Sequence, residues 1–478
     1  MNLRQDLRIV GFLAWLLGGF LLLPLALALA FGEPAGCFAG AIALALLLGL
    51  AGWLAGRGSR AQILVRDGFL VVTTGWITVS LLGAVPYVLA GRLGPIDAIF
   101  ESVSGFTTTG SSVLTDIEAW PASLLFWRAL TQWIGGMGII LFTIAVLPVL
   151  GVGGMQLFKA EAPGPVTDKL APRLSVTARY LWGTYVGLTA AEVLLLVLGG
   201  MPLLEAVDHA FTTMATGGFS PRNASIAAYP SSYIHWVVIL FMFLASVNFV
   251  IHFRIATGRW REALRDEELH WYVLMVLFFA GTATAVLVAE GQAIGQAVED
   301  AFFTVVSLIS TTGYSTADFE RWPPVLHALI FPILAVGGMA GSTAGGFKTL
   351  RTLIAFRALR MSFRRMIHPH AVTPVVYRGN PVPRDVLAAI WGFFALYLTL
   401  AAAGTLVLGA AGADPETAWS ATLTAMAGIG PGLGGVGPTD NFAWLAGYAK
   451  LALSGLMLAG RLELYTLILV FLPGFWRR

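Results

Sequence analysis

Four short glycine-containing segments, each directly after a short apolar stretch, constrain the fold of this chain more than any other feature. We call them glycine segments 1 to 4: Phe106–Ser111 (FTTTGS), Met214–Phe219 (MATGGF), Ile309–Tyr314 (ISTTGY) and Met426–Pro431 (MAGIGP). Each interrupts apolar sequence that is suited to the interior of a membrane. Lipid tolerates irregular backbone only where it is buried in protein or lines a water-filled path. Four such segments predict four walls around one axis.

The composition places the chain in a membrane. Hydrophobic residues make up 57% of the sequence and charged residues only 12%, about half the charged share of a typical soluble domain. Cys37 is the single cysteine, which excludes an internal disulfide framework and a cysteine-based metal cluster. The apolar run 9–31 follows Arg4 and Arg8 and has two interpretations, a signal peptide or a retained helix. Its length and a second apolar run at 38–55 favour a retained helix.

Ten apolar segments are long enough to cross a membrane, which takes about 20 residues. They lie at about 9–31, 38–56, 68–90, 123–149, 178–200, 232–256, 270–290, 323–359, 384–410 and 441–474. Four shorter apolar stretches, at 95–105, 202–214, 294–309 and 414–426, are typical of re-entrant half-helices. The C-terminal end of such a half-helix is the negative end of its dipole and favours a cation.

The fold class predicted is an all-α polytopic membrane protein. Four helix–half-helix–helix repeats surround one pore, and two further transmembrane helices precede them. The division predicted is an N-terminal helix pair at 1–60 and pore repeats at 61–160, 161–260, 261–370 and 371–478.

Basic residues concentrate in the connections on one side of this arrangement. They are Arg57, Arg60, Arg66, Lys159, Lys169, Arg173, Arg179, Arg254, Arg259, Arg261, Arg265, Arg357, Arg360, Arg364, Arg365, Arg378, Arg384, Arg477 and Arg478. By the positive-inside rule both termini are cytoplasmic and the glycine segments face outward. The outer connections are acidic, and this acidity either concentrates cations in a vestibule or merely follows from topology.

The residues around each segment's glycine are candidates for a selectivity filter. Backbone carbonyls around one axis can replace the hydration shell of an ion, as in potassium channels, whereas a single Thr-Gly pair is normally an ordinary turn. Because the four segments differ in sequence, we expect few well-formed ion sites and loose selectivity. The candidate cation-coordinating residues are Thr108, Thr109, Gly110, Ala215, Thr216, Gly217, Thr311, Thr312, Gly313, Gly428, Ile429 and Gly430.

A second glycine-rich stretch, Gly337–Lys348, interrupts a long apolar segment and cannot hold a stable helix. It is a candidate gate beneath the filter, with Gly345, Gly346 and Lys348 as its gating residues. The alternative is a loop whose small residues only let two helices pack closely.

Arg461 lies at membrane depth, where a charge usually faces a cavity or a partner. We expect its guanidinium to impede cations beneath the filter; the alternative is a buried pair with Glu463 or Glu192. Arg128 and Gln132 lie one helical turn apart and are expected to brace the first filter segment. The seven histidines show no metal-like clustering, and no nucleotide-binding motif is present.

Together with the glycine segments, five further motifs make the chain resemble the TrkH/TrkG group of bacterial potassium uptake proteins in the Trk/Ktr/HKT superfamily. These motifs are Phe126–Gly138 (FWRALTQWIGGMG), Leu150–Gln156 (LGVGGMQ), Ala160–Pro165 (AEAPGP), Gly337–Lys348 and Gly460–Glu463 (GRLE). The resemblance covers nearly the whole chain. It departs at segment 4, where Ala427 and Gly428 replace an expected polar pair.

The resemblance implies a homodimer in the bacterial inner membrane that takes up K⁺, with K⁺ as transported ion and no organic cofactor in this chain. It places the filter glycines at Gly110, Gly217, Gly313 and Gly430, the gating loop at Gly337–Lys348 and the pore arginine at Arg461. It also implies a cytosolic nucleotide-binding regulatory ring of the TrkA type, and the chain is not expected to be an enzyme. Two other classes remain open: a proton- or sodium-coupled symporter, and a nonconducting receptor or assembly protein.

Overall fold

The computed structural model describes residues 3–57, 65–145, 170–369 and 374–477. Within these ranges the fold is almost entirely helical, as predicted. The predictions for Arg60, Lys159, Lys169 and the motifs at 150–156 and 160–165 fall outside the described residues. The long helices are Leu3–Phe20 continued by Leu22–Phe31, then Gly36–Ala55, Val65–Leu89, Ala122–Ala145, Leu170–Leu198, Glu267–Ala289 and Arg384–Ala410.

By length and composition, six helices of the described residues could cross a membrane, or eight if two bent helix pairs each count as one span. The first of these spans, Leu3–Phe31, consists of the first two helices. The helix Ala122–Ala145 reaches the edge of the described region. Many large apolar side chains of the candidate spanning helices are exposed, among them Leu29, Leu47, Leu198 and Leu406. An outer surface of this kind suits a lipid environment.

Four short helices occupy the centre of the fold, where the sequence predicts half-helices. Short helices 1 to 4 are Pro95–Phe106, Leu203–Met214, Ile294–Ile309 and Pro415–Ala427. Proline at the first helical turn suits the start of helices 1 and 4, because its missing N–H has no partner there in any case. Their C-terminal halves are almost wholly buried. Each ends where a glycine segment begins.

Among the described residues, three of the ten predicted spans are sharply bent or interrupted by a loop. The segment 232–256 forms Ser232–Ala245 and Phe249–Ala256, which meet at 101°, and 441–474 forms Gly447–Arg461 and Tyr465–Phe471, which meet at 118°. The segment 323–359 is helical only in Pro324–Ile333 and in the first part of Thr349–Ile367. The predicted break at Gly337–Lys348 is therefore present, whereas the other two bends were not predicted.

Local chemistry explains both unpredicted bends. After the first half of the bent pair, the Asn248 side chain accepts a hydrogen bond from Val250 N at 2.8 Å and so caps a new helix. In the second pair, Glu463 and Leu464 have φ values of 60° and 52°. This left-handed backbone is incompatible with a continuing right-handed helix.

The remaining elements lie in the connections. They are the four-residue helices Trp260–Ala263 and Pro473–Trp476, the 3₁₀ turns Ser225–Ala228 and Phe319–Arg321, and the strands Val376–Tyr377 and Asn380–Pro381. The two strands pair antiparallel, with Val376 opposite Pro381 and Tyr377 opposite Asn380. None of these elements belongs to the centre of the fold.

Candidate ion pathway

The backbone follows one path after each of the four short helices. A residue just past each helix has a left-handed φ. It is the second residue after short helices 1 to 3, at Thr108 (54°), Thr216 (54°) and Thr311 (58°), and the first residue after short helix 4, at Gly428 (72°). Two residues later φ is positive again, at Gly110 (84°), Gly218 (75°), Gly313 (80°) and Gly430 (97°). Non-glycine residues rarely adopt such angles. The repetition therefore defines which residues of the four segments are equivalent.

This equivalence shifts the predicted register of glycine segment 2 by one residue. Gly218, rather than Gly217, is the counterpart of Gly110, and Gly217 is the counterpart of Thr109. The prediction matched the Thr-Gly pair of segment 2 with that of segment 1. An aromatic residue after the glycine, Phe219 in segment 2 and Tyr314 in segment 3, was the sequence signal for the other register.

The four glycines form a closed cycle with the carbonyls of neighbouring segments. A Cβ added to each glycine would meet the carbonyl oxygen that precedes the glycine of the next segment. The contacts run from Gly110 to Gly217 O (2.1 Å), Gly218 to Thr312 O (1.9 Å), Gly313 to Ile429 O (1.8 Å) and Gly430 to Thr109 O (2.9 Å). The segments thus surround one axis in chain order, at a spacing that excludes side chains at these four positions.

All the predicted filter positions except Gly110, Gly313 and Gly428 are buried. The polar members are Thr108, Thr109, Thr216, Thr311 and Thr312, none more than 1% exposed. Because the short helices all point their C-terminal ends at the segments, their dipoles add negative potential there. The centre of the fold therefore presents backbone oxygens and helix C-termini to any group on the axis, an arrangement that favours a cation.

A cavity of about 90 Å³ opens beside the four glycines and is also lined by residues that follow them in the chain, such as Ser111 and Pro431. Its lining includes Gly110, Gly218, Gly313 and Gly430, which independently supports the corrected register. The side chains around it are mixed in charge, with Arg128, Arg222 and Asp440. Asp440 is the sole acidic residue of this lining, so the acidic vestibule considered from the sequence is not formed by the cavity itself.

Two of the outer carboxylates are instead paired with arginines. Glu101 is fully buried and accepts a hydrogen bond from Arg128 Nε at 2.8 Å. Glu205 accepts one from Arg222 Nη2 at 2.6 Å and another from the Tyr229 hydroxyl. Burial acts to raise the pKa of Glu205, but these bonds outweigh it and hold the pKa below its ordinary value. Both carboxylates therefore hold the outer connections together.

The glycine-rich loop between Val336 and Lys348 lies against the residues at the start of the glycine segments. Its two ends are tied together, because Phe347 N donates to Ala335 O at 2.9 Å and Gly337 N donates to Phe347 O at 3.1 Å. Lys348 starts the next helix, and its ammonium donates to Ala344 O. Gly346 has a φ of 68°, which suits a glycine in this tight return.

The tip of the loop touches three of the four segments. The Thr343 hydroxyl donates to Met214 O at 3.0 Å, and Gly345 N donates to Thr311 Oγ1 at 2.7 Å. A Cβ on Gly345 would lie 2.0 Å from Ala427 O. The loop therefore lies directly against the inner ends of segments 2, 3 and 4.

Arg461 secures this loop rather than pairing with an acid. Its Nη1 donates to Thr343 O at 2.7 Å, and its Nη2 donates to Gly135 O at 3.1 Å. Glu463 instead accepts a hydrogen bond from Arg351 at 2.5 Å. Among the residues that the structure describes, neither Glu463 nor Glu192 forms an ion pair with Arg461, so the buried pair considered from the sequence is not formed. The guanidinium bridges the loop and the helix Ala122–Ala145.

Arg128 and Gln132 reach beyond the segment that they were expected to brace. Gln132 Nε2 donates to Gly217 O at 2.7 Å, and Arg128 Nη1 donates to Ser220 O at 3.3 Å. Both acceptors belong to segment 2 or to the residue after it. The sequence reasoning found these two residues but assigned them to segment 1.

The fold and the site define a class: a polytopic membrane protein with re-entrant half-helices arranged around one axis. Comparisons with known proteins agree with it. The family model TrkH, a cation transport protein, matches residues 36–477. The chain belongs to the TrkH family.

Individual relatives match over whole chains. The chain is 38% identical to the Trk system potassium uptake protein TrkH of Salmonella typhimurium and 33% identical to TrkG of Escherichia coli; both alignments cover 100% of this chain and at least 99% of the relative. The crystal structure of the potassium transporter TrkH from Vibrio parahaemolyticus superposes with a TM-score of 0.91 at 33% identity, over 100% of both chains.

Proposed function

We propose that this chain takes up K⁺ across the bacterial inner membrane through a gated filter lined by backbone carbonyls. The observation that carries the proposal is the closed cycle of contacts among the four glycine segments. Four carbonyl-bearing segments at close approach, at the C-terminal ends of four helix dipoles, can replace part of the hydration shell of a monovalent cation. The names of the full-length relatives support K⁺ as the transported ion.

The filter consists of the equivalent residues of the four segments. One level holds Thr109, Gly217, Thr312 and Ile429, and the next outward level holds Gly110, Gly218, Gly313 and Gly430. The inner level holds Thr108, Thr216, Thr311 and Gly428, with Ala215 before it in segment 2. Over these levels segments 1 and 3 are both Thr-Thr-Gly, whereas segments 2 and 4 differ from them and from each other. Because the ring is therefore not fourfold symmetric, selectivity is expected to be looser than in a symmetric potassium channel.

The loop Gly337–Lys348 is the gate of this proposal. It lies under three segments, and Arg461 holds it closed through the Thr343 carbonyl. Opening requires the loop tip to leave Thr311 and Met214, which Gly345 and Gly346 permit. The Arg461 guanidinium also places a positive charge beneath the filter, where it opposes cation exit.

The assembly is proposed to follow the relatives. The repeats occupy 61–160, 161–260, 261–370 and 371–478 after an N-terminal helix pair, both termini are cytoplasmic, and two copies form a homodimer among membrane lipid. A cytosolic nucleotide-binding ring of the TrkA type regulates the gate. The exposed arginines at the end of the helix Thr349–Ile367, Arg360, Arg364 and Arg365, offer a basic surface for it.

A coupled symport with protons or sodium is the second candidate. One observation favours it: the side chain of Glu192 is fully buried in the helix Leu170–Leu198, beside Thr213 of short helix 2. A buried carboxyl at membrane depth is a typical site of proton or ion coupling.

Uptake of Rb⁺ and Na⁺ into proteoliposomes that hold only this purified chain separates these functions. The membrane voltage is set and no pH gradient is applied, with protein-free liposomes as the control. Voltage-driven Rb⁺ uptake above Na⁺ uptake, without proton movement, supports the gated filter. Flux only in the presence of a proton or sodium gradient supports the symport. If flux is absent and stays absent after co-reconstitution with a TrkA-type protein, the proposal is wrong.

A further inference from the structure

Two of the glycine segments contain a pair of hydroxyls that lock the filter backbone from within. In segment 1, Thr107 Oγ1 and Thr109 Oγ1 are 2.8 Å apart, and in segment 3, Ser310 Oγ and Thr312 Oγ1 are 2.7 Å apart. Each pair joins residues on both sides of the left-handed residue. Such a bond limits the freedom of the carbonyls between them.

Segment 2 lacks this hydroxyl pair. The equivalent positions are Ala215 and Gly217, which carry no polar side chain. Gly217 is not among the glycines with a positive φ. Its backbone conformation therefore does not require glycine, and the missing side chain needs another explanation.

The side chain of Gln132, from the helix Ala122–Ala145, occupies the space that this side chain would fill. A Cβ on Gly217 would lie 2.4 Å from the Gln132 amide carbon and 2.5 Å from its oxygen. Gln132 Nε2 donates to Gly217 O at 2.7 Å, and its Oε1 accepts from Phe219 N at 3.1 Å. Gln132 is fully buried. If its amide were reversed, Nε2 would face the Phe219 N–H donor and Oε1 would face the Gly217 carbonyl acceptor, and neither hydrogen bond could form. The amide thus holds the backbone on both sides of Gly218.

The same helix face holds the rest of segment 2. One turn before Gln132, the Arg128 guanidinium lies 4.1 Å from the Phe219 ring centre and donates to Ser220 O at 3.3 Å. Glu101 orients Arg128 through its 2.8 Å ion pair. Residues 217–220 are therefore positioned by side chains of repeat 1, across the boundary between two repeats.

We propose that Gln132 is a specificity-determining positioning residue, which supplies from a neighbouring repeat the hydrogen bonds that segments 1 and 3 make within themselves. It fixes the Gly217 carbonyl at the filter level that it shares with Thr109, Thr312 and Ile429. Selectivity is a difference between two affinities, so a carbonyl that is free to shift lets the filter fit Na⁺ as well as K⁺. This inference rests on the proposed function.

Two substitutions of Gln132 test the inference in the purified full-length chain. Gln132→Met keeps the length and removes both hydrogen bonds, and Gln132→Glu keeps an acceptor for Phe219 N but loses the donor to Gly217 O. Both should lower the ratio of Rb⁺ to Na⁺ uptake about three- to tenfold, the equivalent of one net hydrogen bond, while maximal Rb⁺ uptake falls less. The exposed Gln296, changed to Met, is the matched control and should keep the ratio.

A rescue variant separates positioning from general damage. Gln132→Ala should lower the ratio, and adding Ala215→Ser and Gly217→Thr should restore part of it, because these changes rebuild the hydroxyl pair of segment 3. If Gln132→Met does not fold, the ratio of Rb⁺ to Na⁺ uptake is measured with Gln132→Glu and with the rescue variant instead. If the wild-type protein is selective and the folded variants keep its ratio of Rb⁺ to Na⁺ uptake, this inference alone is wrong. An unselective wild-type protein would overturn the proposed function as well.

Discussion

Substitution of Gly218 by alanine tests the corrected register of the filter and the spacing of its segments. The added Cβ would lie 1.9 Å from Thr312 O, whereas real Cβ atoms essentially never come within 3.0 Å of a non-bonded heavy atom. The neighbour is backbone, so one of the two segments must move by about 1 Å. The positive φ of Gly218 adds about 1–2 kcal/mol of strain. A 1 Å error in the position of interacting groups can reduce a rate roughly 100-fold, and we expect a loss of Rb⁺ uptake of that order.

The assay is voltage-driven Rb⁺ uptake by the purified variant in proteoliposomes. Gly200→Ala is the matched control: its φ is 91°, but no atom lies within 4 Å of the added Cβ. This control carries the strain without the clash and should keep nearly full uptake. Gly217→Ala should cost less than Gly218→Ala, because the three atoms nearest to its Cβ belong to the end of the Gln132 side chain rather than to backbone. If Gly218→Ala transports as well as Gly200→Ala, the deduced packing of the segments is wrong.

Three further predictions concern the gate and a helix cap. Gly345→Ala places a Cβ 2.0 Å from Ala427 O, so the loop cannot seat and basal Rb⁺ uptake should rise severalfold with little change in the thermal unfolding midpoint; unchanged uptake would argue for a loop that only packs helices. Arg461→Ala removes the hydrogen bonds to Thr343 O and Gly135 O and should also speed uptake, and a variant that conducts no faster would refute the proposed role of the guanidinium. Asp414 caps short helix 4 and accepts a hydrogen bond from the Thr417 hydroxyl, which, with backbone N–H bonds, lowers the pKa of Asp414. Asp414→Ala should cost about 1 kcal/mol of stability at neutral pH. Because a lowered pKa stabilises the fold only while the carboxyl is charged, the difference in unfolding midpoint from wild type should shrink as pH falls through that pKa; a difference constant down to acid pH would contradict this.

Much of the architecture follows from the sequence because hydrophobic length and glycine content are local properties. The four short helices lie within one or two residues of the predicted stretches, and the break at Gly337–Lys348 is present. Two bends escaped prediction. One depends on the cap that Asn248 provides, and the other on left-handed backbone at Glu463 and Leu464, which are ordinary residues for a helix interior.

The site was harder to predict because it is made of contacts between segments that lie far apart in the sequence. The Thr-Gly pairs suggested Gly217 as the filter glycine, but equivalence is set by the repeated pattern of positive φ values after each short helix, which places Gly218 there. The side chain that fills the space at Gly217 comes from Gln132, 85 residues earlier. No property of segment 2 alone reveals that partner.

Charge was the least predictable feature of the site. The outer connections are acidic in sequence, yet Glu101 and Glu205 are neutralised by Arg128 and Arg222. Arg461, in contrast, has backbone carbonyls as its hydrogen-bond partners. A sequence gives the sign and number of charges, but their partners depend on which side chains the fold brings within about 4 Å of one another.

The most direct test of the central claim is a crystal structure of this protein grown in Rb⁺, with data collected at the rubidium absorption edge. The account predicts an anomalous peak on the axis between the four segments, beside the carbonyls of Thr109, Gly217, Thr312 and Ile429. The assignment of this ring as the ion filter would be contradicted if the four segments are well ordered but show no rubidium peak between them, or if rubidium peaks occur only elsewhere in the protein.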